Sequence, residues 1–319
     1  MGASGGLVGR KLGVIAAVVI ALAGSLAVYL YNRITLLEHE PVSGAVHVIY
    51  GIGGNVGVLQ TRSGAVIVDT MTFPVQGRRI RLLAESLGGG PTQAVINTHY
   101  HADHTHGNPA WPAGTHIVAT ERTRAYLDYF DPAFWEGAAA GSAPNDLFAD
   151  AHELRIGDKT IRSLHPGRGH TDGDLVVLFV EDRVLHAGDL FFNRRYPNID
   201  LEAGGSVQEW ATTLGRVLEL DFDKVIPGHG PVTDRAGLLE FQRFIAEVAA
   251  YAREAVAAGK SLDETLAAAH LEHDAGFEEM SIPFLFKFDR EFVVRRAWEE
   301  ASGRVHPVDL PAPASPGRG

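Results

Sequence analysis

The stretch NTHYHADHTHGN, Asn97 to Asn108, sets four histidines and one aspartate directly after the apolar run AVI. In an extended segment residues i and i+2 point to the same side, so His99 and His101 present their imidazoles together while Tyr100 points away. Asp103 and His104 follow where the chain turns, and they aim from a different direction. That arrangement suits two adjacent metal ions better than one. Four ligands are too few for two ions, and three further loops beside strand-like runs supply candidates: GRGHTDGD carries His170, HAGDLFF carries Asp189 and VIPGHGPV carries His229. Each is flanked by glycine, which permits tight turns and close backbone approach. Five histidines and two aspartates form a nitrogen and oxygen set suited to zinc, and also to iron or manganese.

The chain has no cysteine, which excludes a disulfide framework and removes thiolate as ligand or nucleophile. A lone histidine is most often a surface or satisfied core residue. Ten of the fifteen histidines fall in that class, with His106 and His186 nearest to a supporting role at the site. What separates the other five is the joint pattern, an H-x-H-x-D-H string with three glycine-framed loops. The segment FFNRRYPNIDLEAGGS, after Asp189, offers substrate-binding groups: Arg194 or Arg195 for a carboxylate, Asn193 or Tyr196 for an oxyanion.

Such loops need rigid elements to hold them. From Ala45, AVHVIY, VGVLQ and AVIVD read as three short strands in a meander, the third ending at Asp69. Arg78 to Leu87 reads as a helix closed by three glycines, and QAVIN is the next buried strand, delivering the histidine string at its C-terminal end. A helix is expected over Thr120 to Phe130, an irregular stretch over Asp131 to Asp150, and strands over Glu153 to Ile156 and Thr160 to His165. Asp174 to Val180 and Arg183 to Ala187 form a hairpin. Ser206 opens a helix as N-cap, with Glu209 completing a capping box, and DKVIPGHG returns a strand to a loop. Helices follow over Leu238 to Ala258, from Ser261, and over Asp289 to Ser302. The strands thus come in two sets, each followed by helix, which gives an α+β class with two β-rich halves packed sheet on sheet and helices outside.

THYHADH, GHTDGD, AGD and PGHG, in this order over about Ala45 to Ala250, resemble the successive motifs of the metallo-β-lactamase superfamily. The resemblance implies an αββα four-layer sandwich with a dinuclear site at one edge. His99, His101 and His170 would hold the first ion, Asp103, His104 and His229 the second, with Asp189 bridging. Asp69 matches an acid that supports the motif loop. Two Zn2+ ions are the implied cofactors, with iron or manganese as alternatives. Two cations sharing a water lower its pKa from about 15.7 to about 7, which gives a bridging hydroxide nucleophile at neutral pH without Ser or Cys. G-x-S-x-G is absent, and Asp103 becomes the catalytic residue that orients the hydroxide.

Members of the superfamily hydrolyse β-lactams, lactones, thioesters, phosphodiesters and sulfate esters. The lactamases with a cysteine in the second site do not match this chain, and Asp189 points toward the glyoxalase- and lactonase-like members. The expected reaction is zinc-dependent cleavage of an acyl bond in a small molecule, lactone or β-lactam ahead of thioester. An iron-dependent sulfur dioxygenase keeping His99, His101 and His170, or a non-catalytic binding module on the same scaffold, are the alternatives.

With 28 basic and 39 acidic residues the formal charge is -11, and no basic stripe supports nucleic-acid binding. Gly13 to Tyr31 is an uncharged apolar run of roughly 28 Å as a helix, close to the bilayer's hydrocarbon thickness. Arg10 and Lys11 before it predict a short cytoplasmic end at 1–12, a transmembrane anchor at 13–31 and a body outside the cytoplasm. A signal peptide with the small-x-small site Ala21-Leu22-Ala23, and hence secretion, is the alternative. A linker over 32–44 would lead to the hydrolase domain at 45–260, a C-terminal helical extension packed on it at 261–305, and a disordered proline-rich tail at 306–319. No protein partner follows from the sequence.

Overall fold

Alternation of side chains along the strands builds the central layers. The first sheet runs in chain order through β1 (Glu38–Ser43), β2 (Val46–Tyr50), β3 (Val56–Thr61), β4 (Gly64–Val68), β5 (Thr92–Ile96), β6 (Ile117–Thr120) and β7 (Asp146–Phe148). The second contains β8 (Ala151–Ile156), β9 (Lys159–Leu164), β10 (Val176–Phe179), β11 (Val184–His186), β12 (Lys224–Ile226) and β13 (Thr233–Asp234), with β13 and β8 at its edges. Val66 and Val68 of β4 face Val177 and Phe179 of β10 in the core between the sheets. Their neighbours Ala65 and Ile67 point the other way, onto Ile80 and Ala84 of α2 (Pro74–Ala84). Val176 and Leu178 likewise turn outward, to a core shared with three helices. A period of two therefore divides each strand between two cores, and every fully buried Val, Leu or Phe adds about 1.5–3 kcal/mol.

The computed structural model describes residues 5–282 and 285–310. Helix α1 (Gly5–Thr35) precedes the sheets. On the first sheet's side lie α2, then α3 (Ala102–Thr105), α4 (Glu121–Phe130) and α5 (Pro132–Trp135) along the chain. On the second sheet's side α6 (Val207–Val217), α7 (Arg235–Ala257) and α9 (Arg290–Ala301) close the outer core, with α8 (Leu262–Ala267) between the last two. Helix, sheet, sheet and helix stack as the four expected layers.

Four details depart from the sequence reading. Residues 38–43 are not a tether: β1 pairs antiparallel with β2, and its register shifts between Pro41 and Ser43, which accommodates the proline on an edge strand. Asp146 to Phe148, expected to be irregular, pairs parallel with β6. Ser206 does cap α6 by accepting from the Glu209 N–H, but the box is not completed. The Ser206 N–H donates to the Gly169 carbonyl and the Glu209 carboxylate is taken by Arg168, 2.7 Å away. Finally, the C-terminal extension is not all helix, because β14 (Met280–Ile282) and β15 (Phe286–Phe288) form an antiparallel hairpin between α8 and α9. Of the expected disordered tail, residues 311–319 lie outside the described residues, and Val308 donates to the Glu202 carbonyl on the body at 2.8 Å.

Candidate metal centre

Strand ends deliver the site. The C-terminal ends of β4 and β5, which are parallel, release Asp69 and the histidine string. Those of β11 and β12, also parallel, release Asp189 and His229, while the turn leading into β10 carries His170. All seven candidate ligands meet at this edge. One group comprises His99, His101, His170 and Asp189, the other Asp103, His104 and His229, and within each group the ligand atoms lie within 4.8 Å of one another.

Asp189 joins the two groups. Its Oδ2 lies 3.8 Å from His99 Nε2, 3.6 Å from His170 Nε2 and 3.5 Å from His229 Nε2, while Oδ1 lies 3.1 Å from His104 Nε2. Asp103 Oδ2 stands 3.3 Å from His229 Nε2 and 3.7 Å from His104 Nε2. In the first group His101 turns Nδ1 inward, 2.9 Å from His170 Nε2.

The electrostatics differ between the groups. Burial, reinforced by neighbouring imidazoles, holds His99 well below its ordinary pKa and lowers His170 to about 4. Burial also opposes charge on His104 and His229, but Asp189 and Asp103 outweigh it, raising His104 and pushing His229 up to about 9. Burial favours protonated Asp189, yet His104, His229 and His99 keep it well below the usual carboxylate range. The Asp103 group, which Asp189 also faces, therefore favours positive charge more than the His99 group does.

Each arm is fixed from behind. Asp69, fully buried, accepts from the Thr98 N–H and hydroxyl, both at 2.8 Å, and stands 2.7 Å from His104 Nδ1. It does so from a left-handed turn with φ +65°, an uncommon conformation for an aspartate. His186 is buried behind the Asp189 turn, with Nδ1 accepting the Gly188 N–H and Nε2 beside the Asn55 carbonyl, and burial lowers it to about 4. His106 lies apart, stacked on Phe134 and 3.0 Å from Asp131.

Three supports carry no sequence motif. Asp200 lies 3.0 Å from His101 Nε2 and also accepts the Tyr100 hydroxyl. The Asn198 carbonyl stands 3.0 Å from His170 Nδ1. Asn55 staples the His229 loop, its side chain donating to the carbonyls of Pro227 and Gly230.

The expected substrate contacts are corrected. Asn193 braces the His229 loop from the other side, its side chain donating to the Pro231 carbonyl and its N–H to the His229 carbonyl. Arg194, at φ +55°, turns out toward Glu240 on α7. Tyr196 is buried and donates to Asp274. Arg195 pairs with Glu278 at 2.8 Å, on the wall of an open cavity beside the site.

Residues 49–229 match the family model described as the Metallo-beta-lactamase superfamily. The chain is 27% identical over 186 residues to a metallo-beta-lactamase type 2 of Bacillus cereus, covering 57% of this chain and 69% of the relative. It is 26% identical over 258 residues to the 2,4-dinitroanisole O-demethylase subunit alpha of a Nocardioides species, covering 78% and 74% respectively. Among solved structures, a metallo-beta-lactamase from Pontibacter korlensis superposes with a TM-score of 0.58 at 22% identity, covering 66% of this chain and 99% of that one, a likeness of fold.

Proposed function

The chain belongs to the metallo-beta-lactamase superfamily, and from that premise we propose that it is a hydrolase of small acyl compounds that works with two zinc ions. The observation carrying this reading is the position of Asp189, whose Oδ2 lies within 3.8 Å of His99 and His170 in one group and of His229 in the other, while Oδ1 faces His104. The donor set fits divalent ions. His99 Nε2, His104 Nε2 and Asp189 Oδ1 are buried without a hydrogen-bond partner, and the 3.1 Å between the last two lacks hydrogen-bond alignment. Buried polar atoms are rarely left so, since each unmet one costs about 1–3 kcal/mol. His99, His101 and His170 would hold one ion, Asp103, His104 and His229 the other, with Asp189 between them. Bound zinc supplies an acidified water and polarises an acyl carbonyl at neutral pH.

The protein's own groups do the rest. Asp103 keeps 35% of its side chain exposed and faces the chamber in front of the site, so Oδ2 is the atom placed to orient the attacking water and to pass its proton on. Asp69, Asp200 and the Asn198 carbonyl hold three imidazoles in fixed tautomers. The chamber, about 470 Å3, has the size of a small-molecule site. Helix α1 contains a 19-residue apolar span, Ala17–Thr35, exposed from Ala17 to Arg33, which we read as a membrane anchor with the body outside the cytoplasm.

The test is elemental analysis of protein purified without added metal, then zinc-loaded, with a hydrolysis panel of a cephalosporin, an acyl lactone and a thioester. Fewer than about 1.5 ions per loaded chain would sink the dinuclear reading. No turnover of any acyl compound would sink the reaction class. Full activity in Asp103→Ala and His229→Ala would point instead to a single ion on His99, His101 and His170.

A further inference from the structure

In front of the metal centre lies a chamber whose walls no motif supplies. Its floor is His101, Asp103, Asp189 and His229, and its walls, which include the polar Thr72 and Asn198, are mostly apolar: Phe73, Phe192, Met280, Ile282, Phe286 and Phe288. Four of those six come from the β14–β15 hairpin. Among the chamber's described lining residues there is no lysine or arginine. Away from the metal centre on its floor, a substrate carboxylate would meet no lysine or arginine there, and an uncompensated buried charge is costly.

A second, more open cavity of about 640 Å3 shares Gly53, His229, Met280 and Phe286 with the first. Its other walls are polar, including Glu40, Tyr50, Arg195, Glu279 and Ser281. The hairpin thus separates an apolar chamber from a polar one, and the two meet at His229. A bond positioned there has apolar surroundings on one side and polar surroundings on the other.

The chamber's rim faces the end of α1. Ile52, Phe73, Ile282 and Phe286 are 41%, 38%, 43% and 37% exposed. Ile52 shares a crevice with Arg33, Leu36 and Glu38 at the foot of α1. Arg78 and Arg79 of α2, the helix that Phe73 precedes, share another with Tyr31 and Thr35. Apolar side chains beside basic ones, next to a span-length apolar helix, are what a bilayer surface attracts.

We infer that the substrate is an uncharged amphiphilic ester, its acyl chain in the chamber walled by the hairpin and its polar alcohol portion toward Arg195, taken from the bilayer surface beside α1. Water adds its oxygen to the acyl carbon, the acyl C–O bond breaks, one proton goes to the departing alkoxide and the other to solvent as the product acid ionises. The cleavage rests on the hydrolytic reading above, whereas the binding of the chain does not.

The full chain in phosphatidylcholine vesicles is assayed with neutral p-nitrophenyl esters from acetyl to dodecanoyl. Where the chain is buried in the transition state, kcat/KM referred to the concentration of ester free in water rises about fourfold per methylene. Ile282→Asp, at a half-exposed position, flattens that slope, and Ile282→Val retains it. Substrate presented in vesicles is turned over faster than the same ester as free monomer, and equal rates would overturn the bilayer source. A neutral diazirine-bearing dodecyl ester, photolysed in the same vesicles, labels peptides containing Met280, Phe288 and Phe73. Such labelling without any turnover would support the binding site while overturning the hydrolase. A flat chain-length profile, a preference for esters bearing a carboxylate, or labelling confined to α1 would overturn the inference.

Discussion

Asp69 Oδ2 stands 2.7 Å from His104 Nδ1 while Oδ1 accepts the Thr98 N–H at 2.8 Å, so one buried carboxylate sets the direction of a histidine in each half of the centre, His104 directly and His99 through its neighbour. Thr98 Oγ1, itself bonded to Asp69, lies 3.1 Å from His99 Nδ1. Replacing Asp69 with Asn leaves the shape but puts an N–H where one acceptor is needed. Zinc affinity should fall about 10–100-fold, read by competition with a chromogenic chelator. Unchanged affinity would show that the loop holds its histidines without it.

Asp200 plays the corresponding part for His101. In Asp200→Asn the imidazole loses its charged partner, and the weakening should exceed that in Tyr100→Phe, which removes only the neighbouring hydroxyl. A lost hydrogen bond to a charged group corresponds to about 1.5–3 kcal/mol, hence roughly 10- to 100-fold in affinity. Cobalt substitution, with its visible spectrum, reports whether the first group is the one disturbed.

Two glycines leave room for the ligands. A Cβ at Gly228 would sit 2.0 Å from Asp189 Oδ1, and one at Gly54 2.1 Å from His104 Cε1. Gly228→Ala should therefore displace the joining carboxylate, lowering metal content below two per chain and destabilising the fold by about 1–3 kcal/mol. Elemental analysis beside a melting curve separates the two effects.

Removing metal should lower the melting temperature. Ligand present at about 1,000 times its Kd stabilises by about 4 kcal/mol, and for a body of this size that is a shift of about 10 °C. Scanning fluorimetry with and without a chelator measures it, and no shift would deny that ions couple to the fold here.

Protease added to intact cells should digest the body. Protection until the membrane is breached would reverse the topology proposed for α1.

The motif residues were legible because their placement is local: alternation within β5 and the turn after it aims His99, His101, Asp103 and His104, and glycines mark the other three loops. Asp200 was not, since it meets His101 across 99 residues of chain. The hairpin was hidden for the same reason: its partner is a chamber assembled from distant loops. Asn193, Arg194 and Tyr196 follow Asp189 closely in sequence but do not line the chamber. A φ of +55° at Arg194 turns the chain away, and Asp274 draws Tyr196 into the core. Strand β1, EHEPVS, lacks apolar alternation, so only its backbone pairing with β2 identifies it.

Only Leu36 and Leu37 separate α1 from β1, and Leu37 packs into the core beneath α2. Two residues reach about 7 Å at most, so this joint has almost no slack. In the membrane-anchored form proposed above, the body would have little freedom to turn its chamber away or extend toward the bulk phase. A substrate drawn from the bilayer, as inferred above, would then be searched for in a plane, at a rate that follows its mole fraction in the leaflet, so diluting the vesicles at fixed composition should leave turnover per enzyme unchanged.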